Sequence, residues 1–287
     1  MLEIDSRTKL LGIIGDPIAH SLSPRMHNFL LHRAGLNYRY LAFRVARERL
    51  EGALEGMRSL GIRGLNVTAP HKEQVAPYLD ELSKEAQALG AVNTILNDGR
   101  RLIGYNTDPG GFAESLRAHA ISPEGWDVVI LGAGGGAAAV AYALIKKRVA
   151  QISIYSRRPA RTEALAKRLA KPAATAITAG GLDEKLGNEI AHAQLLINAT
   201  PVGTSPDDEM AVDPGLLHDG LIVYDLVYNP LKTRLLREAE ARGAGIINGL
   251  DMLIYQGLES LEIWTGAEFD RAIVPELRAH LQEGVHG

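Results

Sequence analysis

The sequence predicts an α/β protein of two domains, the second built on a doubly wound parallel sheet. Three observations carry that expectation. Apolar runs of strand length alternate with amphipathic stretches of helix length along most of the chain, the rhythm of βα units. The stretch Asp127–Lys147, DVVILGAGGGAAAVAYALIKK, reads as a buried strand, a glycine-rich turn and an alanine-rich helix. It begins well past residue 100 of 287, so a separate α/β unit folds ahead of it.

Composition narrows the function classes. Hydrophobic residues make up 46% and charged residues 23% of the chain, as in ordinary globular proteins. The net charge of −3, with no basic block and no interleaved aromatics, offers nucleic acid no binding surface. The absence of cysteine excludes disulfides, thiolate metal sites and cysteine nucleophiles, and it fits a reducing compartment. The opening MLEIDSRTKLLGIIGDP carries early acids and only a short apolar run, unlike a signal peptide, so a cytoplasmic location is expected. Val128–Ile145 has about the length of a membrane span, but its glycines split it and no second such segment occurs. No membrane partner is expected.

The elements have local reasons, taken in order. Lys9–Gly15 (KLLGIIG) is a buried strand and Tyr38–Val45 a second. Between them Ser23 followed by Pro24 marks a helix start, with the serine as N-cap and the proline in the first turn, and Gly35 marks the stop. Glu48–Leu60 spaces Leu50, Leu54 and Met57 along one helical face. Ile62–Val67 is a third strand, with a helix expected from about Pro70. Val92–Leu96 and Arg101–Tyr105 flank Asn97-Asp98-Gly99, the turn chemistry of a hairpin, and a helix follows over Gly110–His119.

The glycine-rich turn has the spacing Gly132-x-Gly134-x-x-Ala137, a dinucleotide fingerprint with its permitted alanine. The first glycine makes the tight turn, the second lets backbone approach a pyrophosphate, and the small third residue lets helix and strand pack closely. Backbone N–H groups of Gly132, Ala133, Gly134, Gly135 and Gly136 and the positive end of the helix then face the phosphates, a Rossmann-type arrangement. The spacing is weak evidence alone; the strand–turn–helix context gives it weight. Strands follow at Gln151–Tyr155, Gln194–Asn198, Leu221–Asp225 and Gly245–Ile247, with helices at Pro159–Ala170, Leu231–Arg242, Met252–Thr265 and Pro275–Gln282. The last two helices have no strand after them, so they either cap the second domain or return to the first.

Polar residues concentrate at strand ends, where open α/β sheets bind ligands. After the first strand, Ser21 and Ser23 offer two hydroxyl donors suited to a carboxylate, with plain N-capping as the bland reading of Ser23. After the third strand comes Gly64-Leu-Asn66-Val-Thr68-Ala-Pro70-His-Lys72. A lysine in a helix first turn meets the unfavourable end of the dipole, which lowers its pKa towards neutrality. His71 has no partners at ligand spacing, so no metal is expected. The hairpin strands bring Asn93 and Thr94 near Asn106, Thr107 and Asp108. Asp108 either caps the next helix or, beside a lysine, holds a hydroxyl and passes a proton.

PIAHSLSPRMHN, GLNVTAPHK, GAVNT, GYNTD, VILGAGGGAAAV, NATPVG, DLVYNPLKT and GLDMLIYQG occur here in an order that resembles the shikimate dehydrogenases, from about residue 12 to 260. The resemblance implies a two-domain enzyme reducing 3-dehydroshikimate to shikimate with NADPH, a step towards the aromatic amino acids. It implies a substrate domain over residues 1–108, completed by C-terminal helices within 249–287, and an NADP-binding domain over 109–248. It implies that Ser21 and Ser23 hold the substrate carboxylate with Tyr228 assisting, and that Thr68, Asn93 and Gln256 bind ring hydroxyls. Lys72 and Asp108 would be the catalytic pair. Gly132–Gly136 would carry the pyrophosphate, and Leu226 and Gly249 would approach the nicotinamide through backbone atoms.

Cofactor choice has an independent argument. An NAD site usually has an acid about 20 residues beyond the fingerprint. Here Ser156-Arg157-Arg158 ends the second strand with Arg161 one turn on, and guanidiniums suit a 2′-phosphate. The family's usual Asn-Arg-Thr is replaced there, and Pro109 stands where a glycine is commoner. The expected cofactor is NADP(H). A quinate or dual quinate/shikimate dehydrogenase is the alternative within the enzyme class; a non-catalytic cofactor-binding regulator on the same fold is the alternative outside it. A homodimer is compatible with the sequence, which specifies no oligomeric state.

Overall fold

The structure is a computed structural model, and it describes residues 4–170, 175–205 and 209–284. The described residues up to Gly111 and from Ile254 onward form one compact unit, and Phe112–Leu253 form the other.

In the first unit β1 (Lys9–Gly15), α1 (Ser23–Arg33), β2 (Tyr38–Arg44), α2 (Leu50–Ser59) and β3 (Gly64–Val67) alternate as expected. They are followed by β4 (Glu81–Leu82), α3 (Lys84–Leu89), β5 (Thr94–Asn97) and β6 (Leu102–Tyr105), then by α4 (Asp108–Ala118), whose first turn belongs to this unit. The sheet order is β2-β1-β3-β5-β6-β4. β1 runs parallel to β2 and β3, whereas β5 is antiparallel to β3 and β6. The ends of β1, β3 and β6 and the start of β5 therefore share one edge. Every polar cluster named above for this unit leaves the sheet there. The hairpin turn closes as its sequence indicates, with Gly99 at φ +95° and Asn97 opposite Leu102.

Leu50, Leu54 and Met57 of α2 pack with Ile14, Leu65, Val67, Ile95 and Leu102 in the core of this unit. Gly64 must lack a side chain, because a Cβ there would lie 2.3 Å from the Trp264 indole. That indole is fully buried and donates from Nε1 to the Ile95 carbonyl at 2.9 Å.

Two local expectations fail. The helix expected from about Pro70 is replaced by turns through residue 75 and a short 3-10 segment, Ala76–Tyr78. A helix starting at Pro70 would meet Pro77 in its second turn, where the missing N–H and the ring oppose it. The Lys72 carbonyl instead accepts from Val92 N–H at 2.8 Å. The dipole argument for Lys72 falls with that helix. Ser23 is also the first helical residue of α1 and not its cap: Leu22 holds the N-cap position without a side-chain bond. Gly35 does follow the helix end in the left-handed region, at φ +65°.

The second unit contains β7 (Asp127–Leu131), α5 (Gly135–Lys146), β8 (Gln151–Tyr155), α6 (Pro159–Leu169), β9 (Ala176–Gly180), α7 (Glu184–His192) and β10 (Leu195–Asn198). It continues with β11 (Ile222–Asp225), α8 (Arg234–Ala241) and β12 (Gly245–Ile247). The sheet is parallel throughout, in the order β12-β11-β10-β7-β8-β9. This is the doubly wound order of the dinucleotide fold, with its switch point between β7 and β10. β9 and α7 escaped the sequence reading. β9 is AITAG at an edge with no fully buried residue, and α7 turns only Leu186 and Ile190 inward.

The final helices are α9 (Leu250–Thr265) and α10 (Val274–Glu283). From Ile254 they belong to the first unit, where Arg25 Nε donates to the His280 carbonyl at 2.9 Å and Arg33 pairs with Glu276 at 2.8 Å.

Candidate active site

Within the first unit the shared sheet edge collects Ser21 and Ser23 after β1, Thr68 and Lys72 after β3, Asn93 before β5 and Asp108 after β6. Gln256 joins them from α9, its Oε1 lying 3.3 Å from Asn93 Nδ2. Lys72 Nζ donates to Asp108 Oδ2 at 2.5 Å, with side chains 23% and 7% exposed. Asn93 Nδ2 donates to the other carboxylate oxygen at 2.7 Å. Both oxygens of Asp108 are thus engaged by donors from other elements. The Asp108 carboxylate is not spent on capping, and Asp108 is itself the first residue of α4. Pro109 follows it in the first turn, where a missing N–H costs the helix nothing.

The orientation of Asn93 follows from a donor that has no alternative. Thr107 backbone N–H donates to Asn93 Oδ1 at 2.9 Å, so the amide nitrogen must face the carboxylate. Behind it lies a buried polar network that sequence reasoning missed. Asn66 Nδ2 donates to the Asn93 carbonyl, Thr94 Oγ1 donates to Asn93 Oδ1, and Ser260 Oγ sits 2.8 Å from Thr94 Oγ1. Tyr40 OH donates to Asn66 Oδ1 at 2.7 Å. Asn66 and Thr107 lay within motifs already singled out; Tyr40 and Ser260 carried no local signal.

Other hydroxyls in the cluster are unspent. Ser21 Oγ accepts from Ser23 N–H at 3.2 Å, but Ser23 Oγ and Thr68 Oγ1 make no hydrogen bond among the described residues. An ammonium, an amide and several hydroxyls converging on one edge can bind a polyhydroxylated ring acid and deliver a proton to it. His71 is outside this set, buried with Nε2 donating to the Val45 carbonyl at 2.7 Å. The Glu259 carboxylate lies against the first turn of α4, where a Gly110 Cβ would meet it. Burial pushes its pKa up to about 7, reinforced by Glu262, Glu85 and Asp108 and opposed by Arg271.

In the second unit the turn after β7 suits a dinucleotide phosphate. Gly132 has φ +113°, and a Cβ there would strike the Ala199 carbonyl at 2.8 Å. A Cβ on Gly134, the N-cap of α5, would meet nothing within 4 Å, so the turn is open there, while a Cβ on Gly136 would stand 3.3 Å from the Leu226 side chain; Ala133 and Gly135 complete the turn. Ala137 is fully buried, which lets α5 pack closely. β8 ends at Tyr155, and Ser156 Oγ accepts from Arg158 N–H at 3.1 Å, closing the turn. Arg157, Arg158 and Arg161 are exposed beyond it. The donor set fits a 2′-phosphate and lacks the acid that a ribose 2′-hydroxyl would use.

At the ends of β11 and β12, Leu226 and Gly249 meet directly: a Cβ on Gly249 would lie 2.1 Å from the Leu226 carbonyl oxygen. Tyr228 follows two residues later, half-buried, with its phenol pKa raised by burial. Asp225 is fully buried at the end of β11 and was also missed. Its place as the last residue of an otherwise apolar strand gave no sign of its hydrogen bonds to Asn198 and Thr233.

Comparison with known proteins agrees with both units. Residues 13–95 match the family model for the shikimate dehydrogenase substrate binding domain. Residues 117–207 match shikimate / quinate 5-dehydrogenase, and residues 249–274 match the shikimate 5′-dehydrogenase C-terminal domain. A Methanopyrus kandleri shikimate dehydrogenase (NADP(+)) is 47% identical, covering 93% of both chains. A Thermus thermophilus shikimate 5-dehydrogenase solved with NADP(H) and shikimate is 37% identical with a TM-score of 0.83, covering 97% of this chain and 98% of the other. A Corynebacterium glutamicum quinate dehydrogenase solved with NAD is 33% identical with a TM-score of 0.86, covering 96% and 99%. Among the described residues no helix is long and apolar enough to cross a membrane.

Proposed function

Because the chain belongs to the shikimate dehydrogenase family, we propose that it catalyses the NADPH-dependent, reversible reduction of 3-dehydroshikimate to shikimate. The observation that carries this reading is the Lys72–Asp108 pair, held by Asn93 at the sheet edge that also gathers Ser21, Ser23, Thr68 and Gln256.

Each residue then has a role its chemistry supports. Ser21 and Ser23 donate to the substrate carboxylate with Tyr228 assisting, and Thr68, Asn93 and Gln256 bind the ring hydroxyls. Lys72, as the ammonium that Asp108 orients, stabilises the negative charge developing on the carbonyl oxygen and protonates it. In the reverse direction the pair receives the hydroxyl proton. Gly132–Gly136 hold the pyrophosphate, Ser156, Arg157, Arg158 and Arg161 the 2′-phosphate, and Leu226 and Gly249 the nicotinamide. NADPH, when bound, supplies the hydride.

The same reading places the chain in the cytoplasm, acting on small molecules without nucleic acid or membrane. We extend it to a homodimer, which sedimentation tests. The deciding experiment follows absorbance at 340 nm with shikimate or quinate and NADP⁺ or NAD⁺. Shikimate with NADP⁺ should be the most efficient combination. Preference for quinate would move the chain to the neighbouring activity, and no turnover with any pair would make it a cofactor-binding regulator.

A further inference from the structure

Asp225, the last residue of β11, is fully buried, and three donors converge on it. Oδ1 accepts from Asn198 Nδ2 at 2.9 Å and from Val227 N–H at 3.1 Å, and Oδ2 accepts from Thr233 Oγ1 at 2.7 Å. These donors come from two parts of the chain, the end of β10 and the connection between β11 and α8. Asn198 also donates to the Val202 carbonyl and accepts from Thr200, which shapes the loop after β10. Gly203 closes that loop over the carboxylate, a Cβ there standing 3.2 Å from Thr233 and 3.9 Å from Asp225 Oδ2.

The peptide next to Asp225 has no freedom left. Leu226 N–H donates to the Asn198 carbonyl at 2.9 Å, Val227 N–H to Asp225, and Gly249 N–H to the Val227 carbonyl at 3.1 Å. The direction of the Leu226 carbonyl is therefore set by a brace in which Asp225 supplies the charge. Charge-assisted bonds are roughly twice as strong as neutral ones.

We propose that Asp225 is a positioning residue for the cofactor, its ionised carboxylate bracing the Leu226 peptide and the 198–203 loop in the shape that receives the nicotinamide half of NADP(H). The inference rests on the dehydrogenase reading above. Burial raises the Asp225 pKa to about 6, and the bonds from Thr233, Val227 and Asn198 keep it from rising further. No charged group adds to that shift. The brace is then charged at pH 8 and neutral at pH 5.

The test measures NADP⁺ dissociation constants by fluorescence titration across pH 5–8 for wild type, Asp225→Asn and Thr233→Val. The ratio of variant to wild type cancels the titration of the cofactor's own phosphate. Asp225→Asn should bind about 10-fold more weakly at pH 8 and converge on wild type by pH 5, because both are then neutral. Thr233→Val should weaken binding less and move the wild-type transition to higher pH, since it removes a bond that favours the charged form; it carries the test if Asp225→Asn does not fold. A ratio independent of pH, or variants that bind as wild type does, would overturn the inference alone. Failure of wild type to bind NADP⁺ at any pH would overturn the dehydrogenase reading beneath it.

Discussion

Lys72 and Asp108 stand 36 residues apart in the chain, and their charged ends meet at 2.5 Å. The turn after β3 brings one, the first residue of α4 brings the other, and Asn93 pins the carboxylate from its far side at 2.7 Å. Lys72→Ala should lower kcat by about 10²–10⁴-fold, the usual range for loss of a general acid/base, with a much smaller change in KM for shikimate. Steady-state kinetics at saturating NADP⁺ measure this. Near wild-type turnover would remove Lys72 from the mechanism.

Ser21→Ala and Ser23→Ala should each raise KM for shikimate, removing a charge-assisted bond worth roughly 1.5–3 kcal/mol. Ser23 does not cap α1 and Ser21 Oγ accepts only the first N–H of the helix, at 3.2 Å, so neither variant should unfold it. Binding of NADP⁺, measured separately, should not change. A fall in cofactor affinity instead would assign the serines to the other site.

Arg157→Ala should weaken NADP⁺ and leave NAD⁺ nearly untouched, because only NADP⁺ carries the 2′-phosphate. Arg158 is exposed beside it and can substitute in part, so the loss should be smaller than for a lone bidentate pair. Equal losses with both cofactors would mean that Arg157 shapes the turn and does not read the phosphate.

Glu259 should make stability depend on pH. Burial raises its folded pKa to about 7, above the 4.5 of a free glutamate, so the folded chain holds a proton that the unfolded chain releases between those values. That contribution is complete below pH 4.5 and is lost as pH rises through 7. Glu259→Gln should accordingly be the more stable protein at pH 8, by about 1–2 kcal/mol after allowance for partial exposure, and the gap should close by pH 4.5. Urea denaturation at several pH values reads it directly. A gap that does not vary with pH would refute the account.

Gly64→Ala should destabilise the first unit by about 1–3 kcal/mol, the usual cost of overpacking, because its methyl group would press into the Trp264 indole. Chemical denaturation measures the loss, and an unchanged midpoint would show that the indole moves aside freely.

Much of this protein was written locally. The strands of the second sheet other than β9, the glycine turn at 132–136, the hairpin turn at Asn97-Asp98-Gly99 and the stop at Gly35 follow from short-range rules: apolar runs bury, and glycine alone enters the left-handed region cheaply. The strand-end position of Ser21, Thr68, Lys72, Asn93 and Asp108 was legible for the same reason. The resemblance to a family, not the spacing, supplied the roles of Tyr228, Gln256, Leu226 and Gly249.

Local rules erred where distant groups compete for the backbone. The segment from Pro70 looked helical, yet the Lys72 carbonyl is taken by Val92 and Pro77 blocks the second turn. Ser23 looked like a cap, yet Leu22 occupies that position. Tyr40 and Ser260, which complete the network behind Asn93, and the Asp225 brace were invisible for a related reason. Their polar residues sit in apolar surroundings, and a buried polar group is tolerable only once remote partners satisfy it. Short-range preference determined which segments become strands, turns and most helices. Which donor meets which acceptor was settled by tertiary structure, because hydrogen bonds act over about 3 Å in space and take no account of separation along the chain.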